Sequence, residues 1–403
     1  MIALQDIQQA AKRIESVASK TPYAYAPILS KKCGYKIFLK KENLQVTGAF
    51  KLRGAFNKIA KISQEEKNRG VVAASAGNHA QGVAFSSNYF QIPATIVMPE
   101  NTPLTKVNGV KSYGASVILH GSNYDEAYAY AVQYAKDHNK TFVHPFADYD
   151  VMAGQGTIAL EILDQAKDLD AILVPIGGGG LIAGIASAIK QINPKIQIIG
   201  VTAAGAPAMR ESFQLGRPVD STQVRTIADG IAVRDTSPVT LKIILETVDD
   251  IVEVDDEEIA DAILFLLENQ KLVVEGAGAV GVAALLYEKL TLPENANIAV
   301  VLSGGNIDVT MLSVIIEKGL IKSYRKMKLI VTLVDKPGSL MKLTEILASV
   351  SANIVQIGYD RTSANLAYGD ANVSIGLETK GKEHQEQIRE LLTRHGFRFY
   401  EEK

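Results

Sequence analysis

Cysteine is nearly absent from this sequence: among 403 residues there is one, Cys33. A single cysteine excludes an internal disulfide and leaves no cysteine cluster for a metal ion. No uncharged apolar run approaches the roughly 20 residues that a membrane-spanning helix requires. The first residues also lack the basic head, apolar middle and small-residue cleavage site of a signal peptide. We therefore expect a cytoplasmic protein that does not associate with a membrane.

An excess of charge of one sign is lacking as well. The chain has 42 basic and 44 acidic side chains, which gives a formal net charge of -2, and the two signs are interspersed. A nucleic-acid-binding protein normally concentrates Lys and Arg in a stripe that neutralises phosphates. Nucleic acid is therefore not an expected partner, whereas small molecules and other protein chains are.

Short β-branched runs alternate with helical patterns over residues 36–320, which is typical of βαβ units around a buried parallel sheet. The predicted fold class is therefore α/β. The clearest predicted strands are residues 71–74, 94–98, 116–119, 171–175, 197–201 and 297–302. Several of them lead directly into glycine-containing turns that precede helices. Ligands of such sheets bind outside the carboxyl ends of the strands, so these turns are the expected place for a site.

A charged stretch at residues 321–327 is predicted to be a linker between a large part, residues 1–320, and a smaller part, residues 328–403. The pattern of the smaller part predicts strand, helix, strand, strand, helix and strand in that order. This is the ferredoxin-like βαββαβ arrangement.

Lys51 lies in the segment Thr-Gly-Ala-Phe-Lys-Leu-Arg-Gly-Ala, residues 47–55. Glycines let the backbone turn and approach a ligand closely. A lysine whose amine is partly removed from water can form an imine with an aldehyde. Taken alone, the segment is more typical of a surface lysine in a glycine-containing turn.

Three further segments follow predicted strands at the same edge of the sheet. Residues 75–82, Ser-Ala-Gly-Asn-His-Ala-Gln-Gly, begin a helix whose free N–H groups suit a carboxylate. Residues 177–181, Gly-Gly-Gly-Gly-Leu, also begin a helix, and their amides suit a phosphate. They match neither a dinucleotide fingerprint nor a P-loop. Ser303, in Ser-Gly-Gly-Asn, places a hydroxyl at the end of the last strand.

These segments, in this order, resemble the fold-type II pyridoxal-phosphate enzymes, and most closely the threonine ammonia-lyases, also called threonine dehydratases. The resemblance covers nearly all of residues 1–320 and implies two open parallel-sheet subdomains, as in the tryptophan synthase β chain. The small subdomain, about residues 48–150, would be inserted in the large one. The cofactor implied is pyridoxal 5'-phosphate.

The resemblance also implies a role for each site residue. Lys51 would carry the cofactor as a Schiff base and then take the α-proton of the substrate, and Asn78 would bond the phenolic oxygen of the cofactor. Phe50 would pack against the ring, unless it is plain core. The phosphate would lie on the N–H groups of Gly177, Gly178, Gly179, Gly180 and Leu181, and Ser303 would face the pyridine nitrogen. The substrate carboxylate would lie on Ser75, Ala76, Gly77, Asn78 and His79, mainly on backbone amides, with Lys51, Ser75 and Asn78 forming the catalytic set.

The activity implied is elimination from L-threonine to 2-oxobutanoate and ammonia, and from L-serine to pyruvate. A serine beside the pyridine nitrogen leaves the ring largely neutral, which favours elimination over a long-lived carbanion. Leu52 stands where related synthases typically have Asp, which disfavours a synthase. Ala76 stands where serine racemases usually have a serine proton carrier, so racemisation is expected to be weak. A serine racemase/dehydratase, or an amino-acid sensor with a decayed catalytic site, remains the alternative.

Two departures from the family and one ambiguous residue limit the resemblance. Residues 201–208 hold no acidic side chain where some relatives bind a divalent cation, so no metal site is predicted. Ala147 stands where relatives often have a polar residue, which leaves the substrate preference open. Glu275 is interpreted either as closing the edge of the active site or as capping a helix.

The C-terminal part resembles an ACT domain, a module that commonly binds amino acids at a dimer interface. An effector would lie on Lys336, Pro337, Gly338, Ser339, Leu340 and Asn353. Isoleucine or valine is the expected effector, because 2-oxobutanoate feeds branched-chain synthesis. The alternative is a domain that only assembles subunits, and a homo-dimer or homo-tetramer is expected.

Overall fold

The computed structural model describes residues 1–401 and divides the chain into two compact units, Met1–Ile307 and the part that begins at Asp308. The strands of the first unit are β1 Tyr23–Tyr25, β2 Lys36–Lys40, β3 Val71–Ala74, β4 Ala94–Met98, β5 Ser116–Leu119, β6 Thr141–Phe142, β7 Ala171–Pro175, β8 Gln197–Ala203, β9 Asp250–Val254 and β10 Asn297–Val301. Its α-helices are α1 Leu4–Ile14, α2 Pro27–Cys33, α3 Lys51–Lys61, α4 Gln64–Arg69, α5 Asn78–Tyr89, α6 Leu104–Lys111, α7 Tyr124–Asp137, α8 Tyr149–Gln165, α9 Gly180–Ile192, α10 Ala208–Leu215, α11 Pro238–Thr247, α12 Asp256–Phe265 and α13 Gly276–Leu286. Short 3₁₀ helices span Glu42–Leu44 and Asp229–Ile231, and a π-helical turn spans Leu266–Gln270.

A six-stranded sheet forms the centre of the first unit, with the strand order β1-β2-β10-β7-β8-β9. Every pair in it is parallel except β1 with β2. All five residues of β7 are buried, and α8 and α9 contribute to the same apolar core. Burial on both faces explains why β7 is uniformly apolar and does not alternate.

A second, four-stranded parallel sheet has the order β5-β4-β3-β6. It lies within the stretch predicted as the small subdomain and has its own apolar core, to which α3 and α5 contribute. The six strands predicted from the sequence are present in the two sheets, and the α/β class is confirmed. Strand β8 runs two residues further than predicted, and β10 ends one residue earlier.

The carboxyl ends of β3, β7 and β10 lead into the turns that contain the predicted site residues. Helix α5 begins four residues after β3 ends, and α9 begins five residues after β7 ends. Strand β10 leads into Ser303 and the residues that follow it. Parallel strands therefore place the three turns at carboxyl edges of the sheets, where ligands bind in this kind of fold.

The second unit contains α14 Val309–Lys322, β11 Lys326–Val334, α15 Ser339–Ser349, β12 Asn353–Asp360, β13 Asp370–Glu378, α16 Lys382–Arg394 and β14 Arg398–Glu401. Its antiparallel sheet has the order β12-β13-β11-β14, and after α14 the elements follow the predicted βαββαβ order. The predicted linker at 321–327 is too long, because only residues 323–325 separate α14 from β11. Lys326 in that charged stretch pairs with Glu317, 2.5 Å away, so part of the charge belongs to an ion pair within regular structure.

None of the helices formed by residues 1–401 is both long enough and apolar enough to cross a membrane.

Candidate active site

A cavity of about 870 Å³ lies in the first unit, where the turns after β3, β7 and β10 face one another. It is lined by every residue predicted to bind the cofactor or the substrate carboxylate: Phe50, Lys51, Ser75, Ala76, Gly77, Asn78, His79, Gly177, Gly178, Gly179, Gly180, Leu181 and Ser303. The sequence motifs, which are far apart in the chain, therefore form a single site.

Lys51 is the first residue of α3, and its side chain enters this cavity. Its Nζ donates a hydrogen bond to the backbone oxygen of Pro145 at 3.0 Å. Removal of the amine from water lowers the pKa of Lys51 to about 8, although the nearby carboxyl of Glu275 opposes the shift. An amine that is partly neutral near this pH is a competent nucleophile and base. Lys51 is thus not the surface lysine of the alternative interpretation.

Arg53, two residues further along α3, anchors the helix that carries Lys51. Its side chain is 1% exposed and donates two hydrogen bonds to Glu42, at 2.8 and 2.9 Å, and one to Glu161 at 2.6 Å. A buried arginine of this kind requires carboxylate partners. Sequence reasoning did not identify this cluster, because Glu42 and Glu161 lie 11 and 108 residues from Arg53 in the chain and meet it only in the folded protein.

The turn between β3 and α5 presents backbone N–H groups to the cavity. Gly77 precedes the helix, and its N–H donates to the Ser75 hydroxyl at 3.1 Å. The first N–H groups of an α-helix have no partner within the helix, and they attract anions. The geometry therefore suits a carboxylate at the start of α5.

The His79 imidazole makes a hydrogen bond within the protein. The ring is buried, and its Nε2–H donates a hydrogen bond to the backbone oxygen of Val143 at 2.9 Å. Burial lowers the pKa of His79 to about 3, so the imidazole is neutral at physiological pH. It offers no positive charge to a substrate, which leaves the backbone N–H as the group that His79 presents to an anion.

The glycines at the start of α9 pack too closely against the protein to carry side chains. A Cβ on Gly178 would lie 2.4 Å from the ring of Phe146, and one on Gly180 would lie 2.8 Å from the Phe146 backbone oxygen. Gly179 has a φ of +85°, in the left-handed region that favours glycine. A bare helix N-terminus at the same cavity as the Lys51 amine is the arrangement that a phosphate-bearing aldehyde requires. The site fits pyridoxal phosphate.

Replacement of Gly178 by alanine is expected to reduce the free energy of unfolding by about 1 to 3 kcal/mol, because the new methyl group meets the Phe146 ring. Urea unfolding would measure the change. Gly109→Ala is the matched control, because a Cβ there has open space within helix α6 and alanine is expected to be neutral or stabilising. Equal unfolding midpoints for Gly178→Ala and the wild type would contradict the packing argument.

Glu275 directly precedes α13, but its side chain makes no capping hydrogen bond. Instead, Glu275 lines the cavity and its Oε1 accepts a hydrogen bond from Asn78 Nδ2 at 2.7 Å. Burial, with a smaller contribution from the charge of Asp229, raises the pKa of Glu275 to about 7. Of the two interpretations of this residue, the structure supports a place in the site and not a helix cap.

Several cavity residues were missed from the sequence. Asn306 donates from Nδ2 to Asn78 Oδ1 at 2.7 Å. Two ion pairs join residues of α6 and α7 to the segment between α10 and α11: Lys106 with Asp229 and Asp125 with Arg234, each at 3.0 Å. The Ser-Gly-Gly-Asn string after β10 was the only local signal for Asn306. The ion pairs have no local signal, because their members meet only in the folded chain.

Residues 14–304 match the family model described as "Pyridoxal-phosphate dependent enzyme". Together with the fold and the Lys51 site, this match shows that the chain belongs to the pyridoxal-phosphate dependent enzymes. The L-threonine ammonia-lyase of Thermotoga maritima is 48% identical over 397 residues, which cover 98% of each chain. Within its class, the chain belongs to the L-threonine ammonia-lyase family.

Solved structures agree with this family assignment over most of the chain. Threonine deaminase isoform 2 from Solanum lycopersicum, in its processed form, is 38% identical, with a TM-score of 0.74, and the match covers 78% of this chain and 86% of that one. Maize serine racemase is 36% identical, with a TM-score of 0.75, over 80% of this chain and 100% of that one. Lyases and racemases therefore share this fold, and the choice between the two reactions depends on individual site residues.

Proposed function

We propose that the protein converts L-threonine to 2-oxobutanoate and ammonia, and L-serine to pyruvate and ammonia. Water is lost across Cα and Cβ and is regained in the hydrolysis that releases ammonia, so no oxidant is needed. The observation that carries the proposal is the Lys51 amine, with its pKa lowered to about 8, in one cavity with two helix N-termini. The family named after L-threonine supports this choice of substrate.

Pyridoxal phosphate, when bound, supplies an aldehyde that captures the substrate amine and a ring that accepts electrons. The backbone N–H groups from Gly177 to Leu181 would hold its phosphate. Ser303, which is 2% exposed, would face the pyridine nitrogen without a charge, and Asn78 would donate to the phenolic oxygen. Phe50, which is 9% exposed at the cavity wall, would pack against the ring.

The protein groups have three tasks in this reaction. The N–H groups of Asn78 and His79 at the start of α5 would hold the substrate carboxylate, beside the Ser75 hydroxyl, and orient the α-proton of the substrate. Lys51, once its amine is neutral, would remove that proton. The loops around the cavity would exclude bulk water, which strengthens the interactions inside it.

The direct test combines the purified protein with pyridoxal phosphate and L-threonine and measures 2-oxobutanoate. L-Serine in a parallel reaction should give pyruvate. Oxo acid from threonine supports the proposal. A protein that binds the cofactor, shown by its visible absorbance, but yields no oxo acid from either amino acid would contradict it.

Ala76, which lines the cavity beside the predicted carboxylate site, is proposed to keep racemisation weak. An alanine cannot return a proton to the face of the substrate opposite Lys51, whereas a serine hydroxyl can. Ala76→Ser is therefore expected to raise the formation of D-serine from L-serine, measured by chiral analysis of the product. Ala204→Ser, at an exposed position outside the cavity, is the control. Unchanged D-serine formation in Ala76→Ser would count against this role.

The second unit is proposed to be an ACT domain that binds isoleucine or valine. Gly338, with a φ of +87°, and the first residues of α15 would provide N–H groups for the effector. The Asn353 side chain already donates to Glu378 at 2.7 Å, so an effector that uses it must exchange this partner. Isoleucine added to the threonine assay tests the idea, and an unchanged rate with either amino acid favours a purely assembling domain. The homo-dimer or homo-tetramer and the cytoplasmic location stay predictions.

A further inference from the structure

We propose that Glu275 and Asn306 are positioning residues that fix the amide of Asn78 from both of its ends, so that one Asn78 N–H remains directed to the ligand in the cavity. This inference rests on the proposed function, because it concerns the group that would bond the phenolic oxygen of the cofactor. It assigns roles to two residues whose side chains touch the Asn78 amide.

Asn306 determines which end of the Asn78 amide is the oxygen. A side-chain NH₂ group has two hydrogens, and Asn306 Nδ2 donates to the backbone oxygen of Thr47 at 2.9 Å and to Asn78 Oδ1 at 2.7 Å. Gly48 has a φ of +72°, and a Cβ there would lie 2.4 Å from Asn306 Oδ1. Asn306 is therefore packed against the loop that leads to Lys51, and both of its N–H groups are engaged.

Glu275 holds the other end of the amide. With Oδ1 turned to Asn306, Asn78 directs its NH₂ group to Glu275 Oε1, 2.7 Å away. The Glu275 side chain is 4% exposed, and a Cβ on Gly304 would lie 2.4 Å from the same Oε1 atom. A close fit around the carboxyl keeps it in place.

One hydrogen of the Asn78 amide remains after these bonds are counted. The amide has two N–H groups, of which Glu275 uses one. The hydrogen bonds found for the Asn78 side chain within residues 1–401 are those to Glu275 and Asn306. Asn78 lines the cavity, so a ligand oxygen is the natural acceptor for the second N–H.

The charges around Glu275 connect this network to Lys51. Burial and the charge of Asp229 raise the pKa of the Glu275 carboxyl, whereas the Asn78 hydrogen bond and the charges of Lys106 and Lys51 lower it. The raising effects are larger, and the pKa is about 7. In return, the Glu275 charge raises the pKa of Lys51 and opposes the effect of burial. Loss of this negative charge therefore lowers the pKa of Lys51, and the amine becomes neutral at a lower pH.

Three variants separate positioning from charge. Glu275→Leu and Asn306→Leu each remove one hydrogen bond to Asn78 and are expected to lower kcat for threonine about tenfold, with a smaller change in KM. Glu275→Gln keeps an acceptor for Asn78 and is expected to recover most of the activity lost in Glu275→Leu. Glu294→Gln, at an exposed position, is the control.

A second readout does not depend on turnover. The rate at which the cofactor-free full-length chain captures pyridoxal phosphate reports the neutral amine of Lys51, so its pH midpoint should fall in Glu275→Gln and stay at the wild-type value in Glu294→Gln. Wild-type kcat in both leucine variants that retain the wild-type unfolding midpoint overturns the inference, and an unchanged capture midpoint in Glu275→Gln overturns the coupling of the Glu275 charge to Lys51. If the wild type has no activity on threonine, the proposed function fails, but the capture experiment still tests the role of Glu275.

Discussion

Replacement of Lys51 by alanine is expected to reduce the formation of 2-oxobutanoate from L-threonine by at least about 10³-fold, since both the covalent anchor of the cofactor and the base are lost. The fold should survive, because the Lys51 amine makes a single hydrogen bond to a protein group among residues 1–401, to Pro145. Steady-state kinetics with a colorimetric assay for 2-oxo acids, together with the visible absorbance of the purified protein, would measure the loss.

The control for Lys51→Ala is Lys195→Ala, which removes an exposed amine from another part of the same unit. This variant should retain wild-type activity and colour. Because burial lowers the pKa of Lys51 to about 8, cofactor capture by the wild type should accelerate as the pH rises through that value and deprotonates the amine. Activity within tenfold of the wild type in Lys51→Ala would contradict the assignment of Lys51 as anchor and base.

Arg53→Met is expected to lower the free energy of unfolding by about 3 to 5 kcal/mol, because it leaves the buried carboxylate of Glu42 without its positive partner. Glu42 is fully buried, and besides Arg53 its carboxylate has only the hydroxyl of Thr21 as a side-chain hydrogen-bond donor within residues 1–401. Urea unfolding monitored by circular dichroism would measure the change. Since Arg53 belongs to α3, we also expect the remaining activity to fall through displacement of Lys51.

Arg217→Met is the matched control, because Arg217 is exposed, and this variant should unfold within about 0.5 kcal/mol of the wild type. Replacement of Arg53 and Glu42 together, by Met and Leu, should cost less than the sum of the single changes, since no unpaired charge is then left buried. Similar unfolding energies for Arg53→Met and Arg217→Met would show that the buried ion pair contributes little.

The pH dependence of this ion pair has a definite sign. Burial raises the pKa of the Glu42 carboxyl, but the Arg53 charge and hydrogen bonds outweigh it and hold the pKa below its ordinary value. A carboxyl with a lowered pKa stabilises the folded state above its unfolded pKa, roughly 4.3, and that contribution is lost as the pH falls below it. The pair therefore contributes its full stability at neutral pH.

The likeness to a serine racemase shows that the fold alone does not determine the reaction. Maize serine racemase, at 36% identity, has the same fold over 80% of this chain, so the scaffold does not distinguish elimination from racemisation. We propose that Ala76 does, because residue 76 determines whether a proton carrier faces the substrate from the side opposite Lys51. This is why the Ala76→Ser variant tests the function more sharply than any comparison of folds.

The sequence alone was sufficient for the features that depend on neighbouring residues. Runs of buried β-branched residues predicted six strands, and glycines with helix-start signals predicted the turns after β3 and β7, because a turn and a helix N-terminus are made by consecutive residues. Lys51 and Ser303 were identified through the strings around them. The βαββαβ order of the second unit was read in the same way, whereas the charged linker was predicted two residues too long at each end, because α14 extends to Lys322 and β11 begins at Lys326.

Only the tertiary structure decided which distant side chains meet. The sequence left two interpretations of Glu275, and the fold decided between them by placing its Oε1 2.7 Å from Asn78 Nδ2. Arg53 likewise binds Glu42, which precedes the Lys51 segment in the chain, and Glu161, which follows it. The lowered pKa of Lys51 and the raised pKa of Glu275 likewise follow from burial by segments remote in the chain. Local sequence encodes backbone conformation, whereas burial and electrostatic environment arise from contacts that form only when the whole chain folds.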